Sequence, residues 1–101
     1  MPMKTLDESS VVVAADHTTS AEVDGESVIL DLDGGVYYGL NSSGSRIWKK
    51  LQEKKTIEEL IDEITKEYDV GRSECEDDIL SLVQDLRENN LINIVDAQKI
   101  K

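Results

Sequence analysis

One thiol and one imidazole, Cys75 and His17, are all the soft chemistry this chain of 101 residues offers. A nucleophilic cysteine needs a base within hydrogen-bond reach. The two residues fall in different segments, His17 after a short apolar run and Cys75 in the first turn of an expected helix. Only coincidence would bring them together. The plainer reading of Cys75 is a small apolar residue near the edge of the core. Its place near a helix N-terminus would lower its pKa somewhat, and reactivity would require exposure as well. A single cysteine excludes an intrachain disulfide and any multi-cysteine metal site. The glycines do not build a phosphate loop: "DGGVYYG" precedes a strand rather than a helix, and no Gly-Lys-Ser/Thr follows. "DLDGG" has the start of a calcium loop, but the ligand positions run out and the bidentate Glu is missing. These residues give no reason to expect catalysis, a metal or a cofactor.

Charge narrows the partners. Asp plus Glu number 22 against 11 Lys plus Arg, a formal charge of −11. Nucleic acid is a poor partner for that surface, because its binding relies on Lys and Arg neutralising phosphates. An anionic membrane is disfavoured for the same reason. A basic peptide or a basic protein face is the better match. Most carboxylates are spread over expected helix surfaces, where solvation explains them. No apolar run approaches the roughly 18 residues of a membrane span. The opening "MPMKTLDESS" lacks the apolar segment of a signal peptide. The expectation is a cytoplasmic protein with one domain over residues 11–95, a disordered segment over 1–10 and a frayed tail over 96–101.

The elements that would position a site follow from periodicity. Val11 to Ala15 suits a strand, and "DHTTSAEV" continues it with a weaker pattern. Asp24-Gly25 signals a turn. The next run alternates, with Val28, Leu30 and Leu32 on one face and Ile29 and Asp31 on the other, which means a strand. Asp33 to Gly35 supplies turn residues that accept positive φ. The strand after it puts Val36, Tyr38 and Leu40 on one face and Tyr37 and Gly39 on the other. The sum is a three-stranded antiparallel meander with one apolar face.

At Asn41 the period changes. Asn41 or Ser42 can cap a helix carrying Ile47, Trp48 and Leu51. Thr56-x-x-Glu59 is a capping box opening a second helix, whose Ile57, Leu60, Ile61, Ile64 and Tyr68 form an amphipathic stripe. Gly71 suits a left-handed helix end. Ser73-x-x-Glu76 reads as a second capping box, opening a third helix with Cys75, Ile79, Leu82, Val83 and Leu86 on one side. Asn89-Asn90 stops it, and "LINIV" can form a last short strand. Three short helices cannot bury their stripes alone, so the fold class is α+β, a three-stranded antiparallel sheet followed by three helices in a winged-helix-like packing.

A helix-turn-helix invites a DNA reading, but a recognition helix offers Arg, Lys, Asn or Gln. The third helix opens instead with Glu74, Glu76, Asp77 and Asp78, which would repel phosphates. Peptide binding remains. The edge strand "VYYGL" displays unpaired backbone groups that can recruit another strand, and the third helix can flank it to form a groove. An acidic rim from Asp77, Asp78 and Asp85 would favour a basic peptide. The plain alternative makes Tyr37 and Tyr38 ordinary strand residues, and the same edge also allows self-pairing into a homodimer.

"VILDLDGGVYYGLNSSGSRIWKKL", then "TIEELIDEITKEYDV" and a helix ending "LRENNLI", resemble the PqqD-like proteins over about residues 11–95. The shared elements are a "G-x-Y-Y-x-L-N" strand end, an "I-W-x-x-L" helix and a "T-I-E-E-L" helix. The resemblance implies a non-catalytic recognition element for ribosomally made, modified peptides. It implies that the leader segment of a precursor adds as a strand to Val36, Tyr37, Tyr38, Gly39 and Leu40. The leader would then lie against Cys75, Asp78, Ile79, Leu82 and Asp85 of the third helix. The chain is most similar to the standalone leader-binding proteins of lasso peptide clusters, which implies a separate cysteine-protease-like maturation partner. A quinone-cofactor pathway with a radical enzyme as partner is the second implication. An accessory subunit or activator of an enzyme is a third possibility that the residues leave open.

Overall fold

The computed structural model describes residue 6 and residues 9–95. The ends expected to be loose, 1–10 and 96–101, lie outside the described residues apart from Leu6, Ser9 and Ser10. Leu6 packs half-buried against the core. In chain order the elements are β1 (Val11–Ala14), β2 (Thr18–Val23), β3 (Glu26–Asp31), β4 (Val36–Gly39), α1 (Ser42–Lys50), β5 (Lys55–Thr56), α2 (Ile57–Glu67), α3 (Arg72–Glu88) and β6 (Ile92–Val95).

The expected meander is present, but it is β2-β3-β4. β1 leaves it for a second antiparallel sheet of order β5-β1-β6. Val11 pairs with both Thr56 and Val95, partners far along the chain. That sheet ties the two ends of the domain together, with Val12 fully buried at its centre.

Turn chemistry sets the meander's register. Asp24 and Gly25 take φ of 55° and 84°, the doubly positive two-residue turn that matches strand twist. The β3–β4 connection is longer, four residues from Leu32 to Gly35. The Asp31 carboxylate holds it by accepting from Asp33 N at 3.0 Å and Gly34 N at 3.1 Å, and Gly35 supplies φ of 71°.

The faces of β3 are the reverse of the expected ones. Ser27 and Ile29 are buried, whereas Val28 and Leu32 are exposed. "VILDL" is apolar at both parities, so alternation alone does not choose a face. α1 chooses it. The Ser27 N–H donates to Ser45 Oγ at 2.6 Å in a buried bond, which fixes the Ser27 parity beneath the helix. Trp48 of α1 is 2% exposed, and its Nε1 donates to Ser20 Oγ at 3.0 Å on β2. Ser45→Ala would leave the Ser27 N–H buried without a partner. Urea unfolding should then show a loss of about 1–3 kcal/mol at unchanged m-value.

α1 packs on β3 of the meander, while α2 and α3 pack on each other and against β5 and β6, and Ile29, Ile47, Leu51, Leu60, Ile61, Ile79 and Val83 share one core. Asn41 caps α1, its Oδ1 accepting from Gly44 N at 2.8 Å. The Thr56–Glu59 capping box is reciprocal, with bonds of 3.0 and 2.8 Å. The second expected box is absent. α3 begins at Arg72 with Gly71 as its N-cap and no side-chain cap bond. Ser73 therefore falls inside the first turn, and Gly71 is extended (φ −69°, ψ 143°) rather than left-handed. The far end of α3 closes as expected. Asn90 takes φ of 63°, Asn90 N donates to Arg87 O at 3.0 Å and Leu91 N to Leu86 O at 2.9 Å. That pair of bonds is a Schellman motif, sealed by buried Leu86 and Leu91. Lys50 bridges Glu67 (2.8 Å) and Glu63 (3.4 Å), pinning the end of α1 to α2.

Candidate peptide-binding groove

β4 is an outer strand of its sheet. Its pairing shows which backbone groups are free. Leu40 N donates to Ser27 O at 2.8 Å, and Tyr38 lies opposite Ile29, Val36 opposite Asp31. In an antiparallel ladder the groups of alternate residues point to the same side. Leu40, Tyr38 and Val36 therefore turn theirs to β3. Tyr37 and Gly39 turn their N–H and C=O groups outward, where no strand of the described residues pairs with them. A Cβ built on Gly39 would meet nothing within 4 Å, so the sheet face beside Gly39 is open.

Side chains make the neighbouring walls. Tyr38 is half-buried and packs against the core, and Leu40 is buried. Tyr37 points to the other side and is 72% exposed. Burial, and to a lesser degree the Asp85 carboxylate, push the Tyr38 phenol above its ordinary pKa. An open depression of ≈ 250 Å³ lies between the start of α1 and α3. Asn41, Ser43, Gly44 and Ile47 form one wall, and Asp78, Ser81, Leu82 and Asp85 the other. A smaller depression of ≈ 90 Å³ lies at the opposite end of the strand, among Asp31, Val36, Tyr38, Asn89 and Leu91. Val36 and Tyr38 thus share a depression with Asn89 and Leu91 just past the end of α3, and Asn41 shares one with Asp78 to Asp85, so strand and helix run in opposite directions past each other.

The expected site residues divide accordingly. Val36 to Leu40 form the edge and its inner wall, and Asp78, Leu82 and Asp85 line the groove. Cys75 (4% exposed) and Ile79 (0%) do not: both are buried in the core. The stripe that burial selects on α3 is Cys75, Ile79, Val83 and Leu86. Asp78, Ser81, Leu82 and Asp85, at i, i+3, i+4 and i+7, are the next face round. Ser81 is not among the expected site residues, although its place at i+3 from Asp78 puts it on this face. Asp77 is exposed but does not line the depression. The contribution of α1 carries no sequence signal, because Ser43, Gly44 and Ile47 read only as cap and core.

Cys75 and His17 do not meet. His17 Nε2 lies 2.8 Å from Asn90 O, past the C-terminal end of α3, and Cys75 lies in the first turn of that helix. The helix between them is about 20 Å long. Desolvation, with a smaller push from Asp78, raises the Cys75 pKa, the opposite of the helix-terminus expectation. A thiol that is both buried and protonated should react with a neutral-pH disulfide reagent only as fast as the domain opens. The check is labelling rate in buffer against labelling in denaturant, with a slowing of at least about a hundredfold expected in the native protein. Among the described residues, no three His, Cys, Asp or Glu side chains are grouped to hold a metal, and no helix is long and apolar enough to cross a membrane.

Fold and edge together define an α+β winged-helix-like domain with one margin of its sheet open beside a helix-lined groove. The family model for coenzyme PQQ synthesis protein D (PqqD) matches residues 26–92, from β3 through the three helices to the first residue of β6. The chain belongs to the PqqD family. Among solved structures it is similar to TbiB1 in complex with the TbiA(beta) leader peptide, at 40% identity and a TM-score of 0.74 over 80% of this chain and 94% of that one. It is also similar to a lasso peptide synthetase B1 complexed with the leader peptide, at 29% identity and a TM-score of 0.71 over 81% and 96% of the two chains. No curated protein matches it.

Proposed function

We propose that this protein binds the leader segment of a ribosomally made precursor by strand addition to β4 and delivers it to a separate maturation enzyme in lasso peptide biosynthesis. The observation that carries the reading is the open β4 edge. Its outward Tyr37 and Gly39 groups are paired by no strand of the described residues, and depressions lined by α3 or the residues just after it lie toward either end of the strand. The likeness to two B1 proteins solved with leader peptides supports it. Backbone pairing supplies affinity, and the two depressions supply side-chain selectivity. Nothing in this role requires catalysis. Tethering the leader raises the effective concentration of the precursor's processing site at the enzyme, here a cysteine-protease-like protein. The reading places the protein in the cytoplasm with its substrate.

Fluorescently labelled leader, made from the precursor encoded beside this gene, should bind the full chain with Kd in the micromolar range or tighter. Absence of binding at tens of micromolar overturns the reading. The name of the matching family favours a second reading, peptide presentation to a radical enzyme in quinone cofactor biosynthesis. Preferential binding of a precursor from that pathway would favour it over the lasso assignment.

A further inference from the structure

The groove is polar in one sense only. Among the described residues, the charged groups lining its two depressions are Asp31, Asp78 and Asp85, with no Lys or Arg. Asp31 is engaged by its own turn. Asp78 and Asp85 have no ion-pair partner among the described residues. Of the α1 cations, Arg46 is stacked 4.1 Å above the Tyr68 ring, Lys49 pairs with Glu22 and Lys50 with Glu63 and Glu67. The open strand edge and the depression point to an occupant, and the carboxylates specify its charge.

Spacing then gives the pattern. On a helix rising about 1.5 Å per residue, Asp78 stands about 6 Å to one side of Leu82 and Asp85 about 4.5 Å to the other. A strand laid along β4 turns every second side chain into the groove, about 6.7 Å apart. A side chain seated on Leu82 and Ile47 therefore has its inward neighbours, two residues away on each side, over Asp78 and Asp85.

Resting on the leader-binding reading above, we infer that the groove selects a leader with an apolar residue and a Lys or Arg two positions from it, on one or both sides. The pattern is symmetric, so it holds for parallel or antiparallel addition. A peptide cation would neutralise two carboxylates that the described residues leave without an ion-pair partner, and a Glu or Asp at the same position would be rejected.

The test uses the full chain and two synthetic leaders from the precursor encoded beside the gene: the native sequence, and one with each Lys and Arg replaced by Gln. The native leader should lose about tenfold or more in affinity to Asp78→Asn/Asp85→Asn, and to a rise from about 50 to 500 mM salt. The Gln leader should bind as weakly as the native leader binds that variant, and should ignore the substitutions. Native and Gln leaders binding equally, or a native leader with no Lys or Arg two positions from an apolar residue, would overturn the inference and leave leader binding standing. If neither leader binds the unmodified protein, the leader-binding reading falls and this one with it.

Discussion

Gly39→Pro is expected to weaken leader binding by about 5- to 150-fold and to leave the domain folded. The Gly39 N–H points out of the sheet and makes no ladder bond, so losing it costs the folded protein little. A proline is tolerated at an edge for that reason. Tyr38, the residue before it, is already extended, as a residue preceding proline must be. The added strand feels the change. One of its carbonyls loses a donor, at a cost of about 1–3 kcal/mol, and the ring stands in the path of the incoming backbone. Tyr38→Pro is the paired control. Its N–H faces Ile29 on β3, so the same chemistry one residue earlier should break the meander, costing about 3 kcal/mol or more. Binding titration and circular dichroism on the two variants separate edge from ladder. Equal leader affinity for Gly39→Pro and the unmodified protein would mean that the peptide does not pair there.

Leu82→Glu is expected to reduce leader affinity at least tenfold by a different route. Leu82 is half-buried and lies between Asp78 and Asp85 on the groove wall. The substitution removes the apolar surface an incoming side chain would cover, worth about 1.5–3 kcal/mol for a fully buried anchor. It also places a third carboxylate within one turn of the other two. The fold should survive, since the core face of α3 is Cys75, Ile79, Val83 and Leu86. Ile79→Ala is the contrasting case. It should cost about 2–5 kcal/mol of stability and change affinity only in proportion to the fraction unfolded. Thermal unfolding and leader titration on both variants read the distinction between the two faces.

How much of this was legible in the chain depends on whether the deciding contact is local. The Asp24-Gly25 turn, the Thr56–Glu59 box, the α2 stripe and the Asn90 stop are all settled by residues within one turn of each other, and all are present. β1 was readable as a strand, but its partners Thr56 and Val95 are set by tertiary packing, so a second sheet could not be read from it. "VILDL" carries apolar residues at both parities, and only Ser45 reaching Ser27 from α1 decides which set is buried. On α3 the apolar stripe is wide enough to hold both a core face and a groove wall. Periodicity grouped Cys75 and Ile79 with Leu82, and the packing of α2 separated them. The edge strand was legible as an edge. That Tyr37 and Gly39, rather than Tyr38, offer the free backbone groups depends on register, which the turn length sets.

The central claim is that the leader becomes the next strand of the meander at β4. Amide hydrogen exchange of the full chain, with and without saturating leader, reads it residue by residue. Protection should rise at the Tyr37 and Gly39 amides, which face the open edge, and stay unchanged at Thr18, Ser20 and Glu22 on the opposite edge strand. Leader binding with no added protection at Tyr37 and Gly39, or with protection at the β2 amides instead, would contradict it.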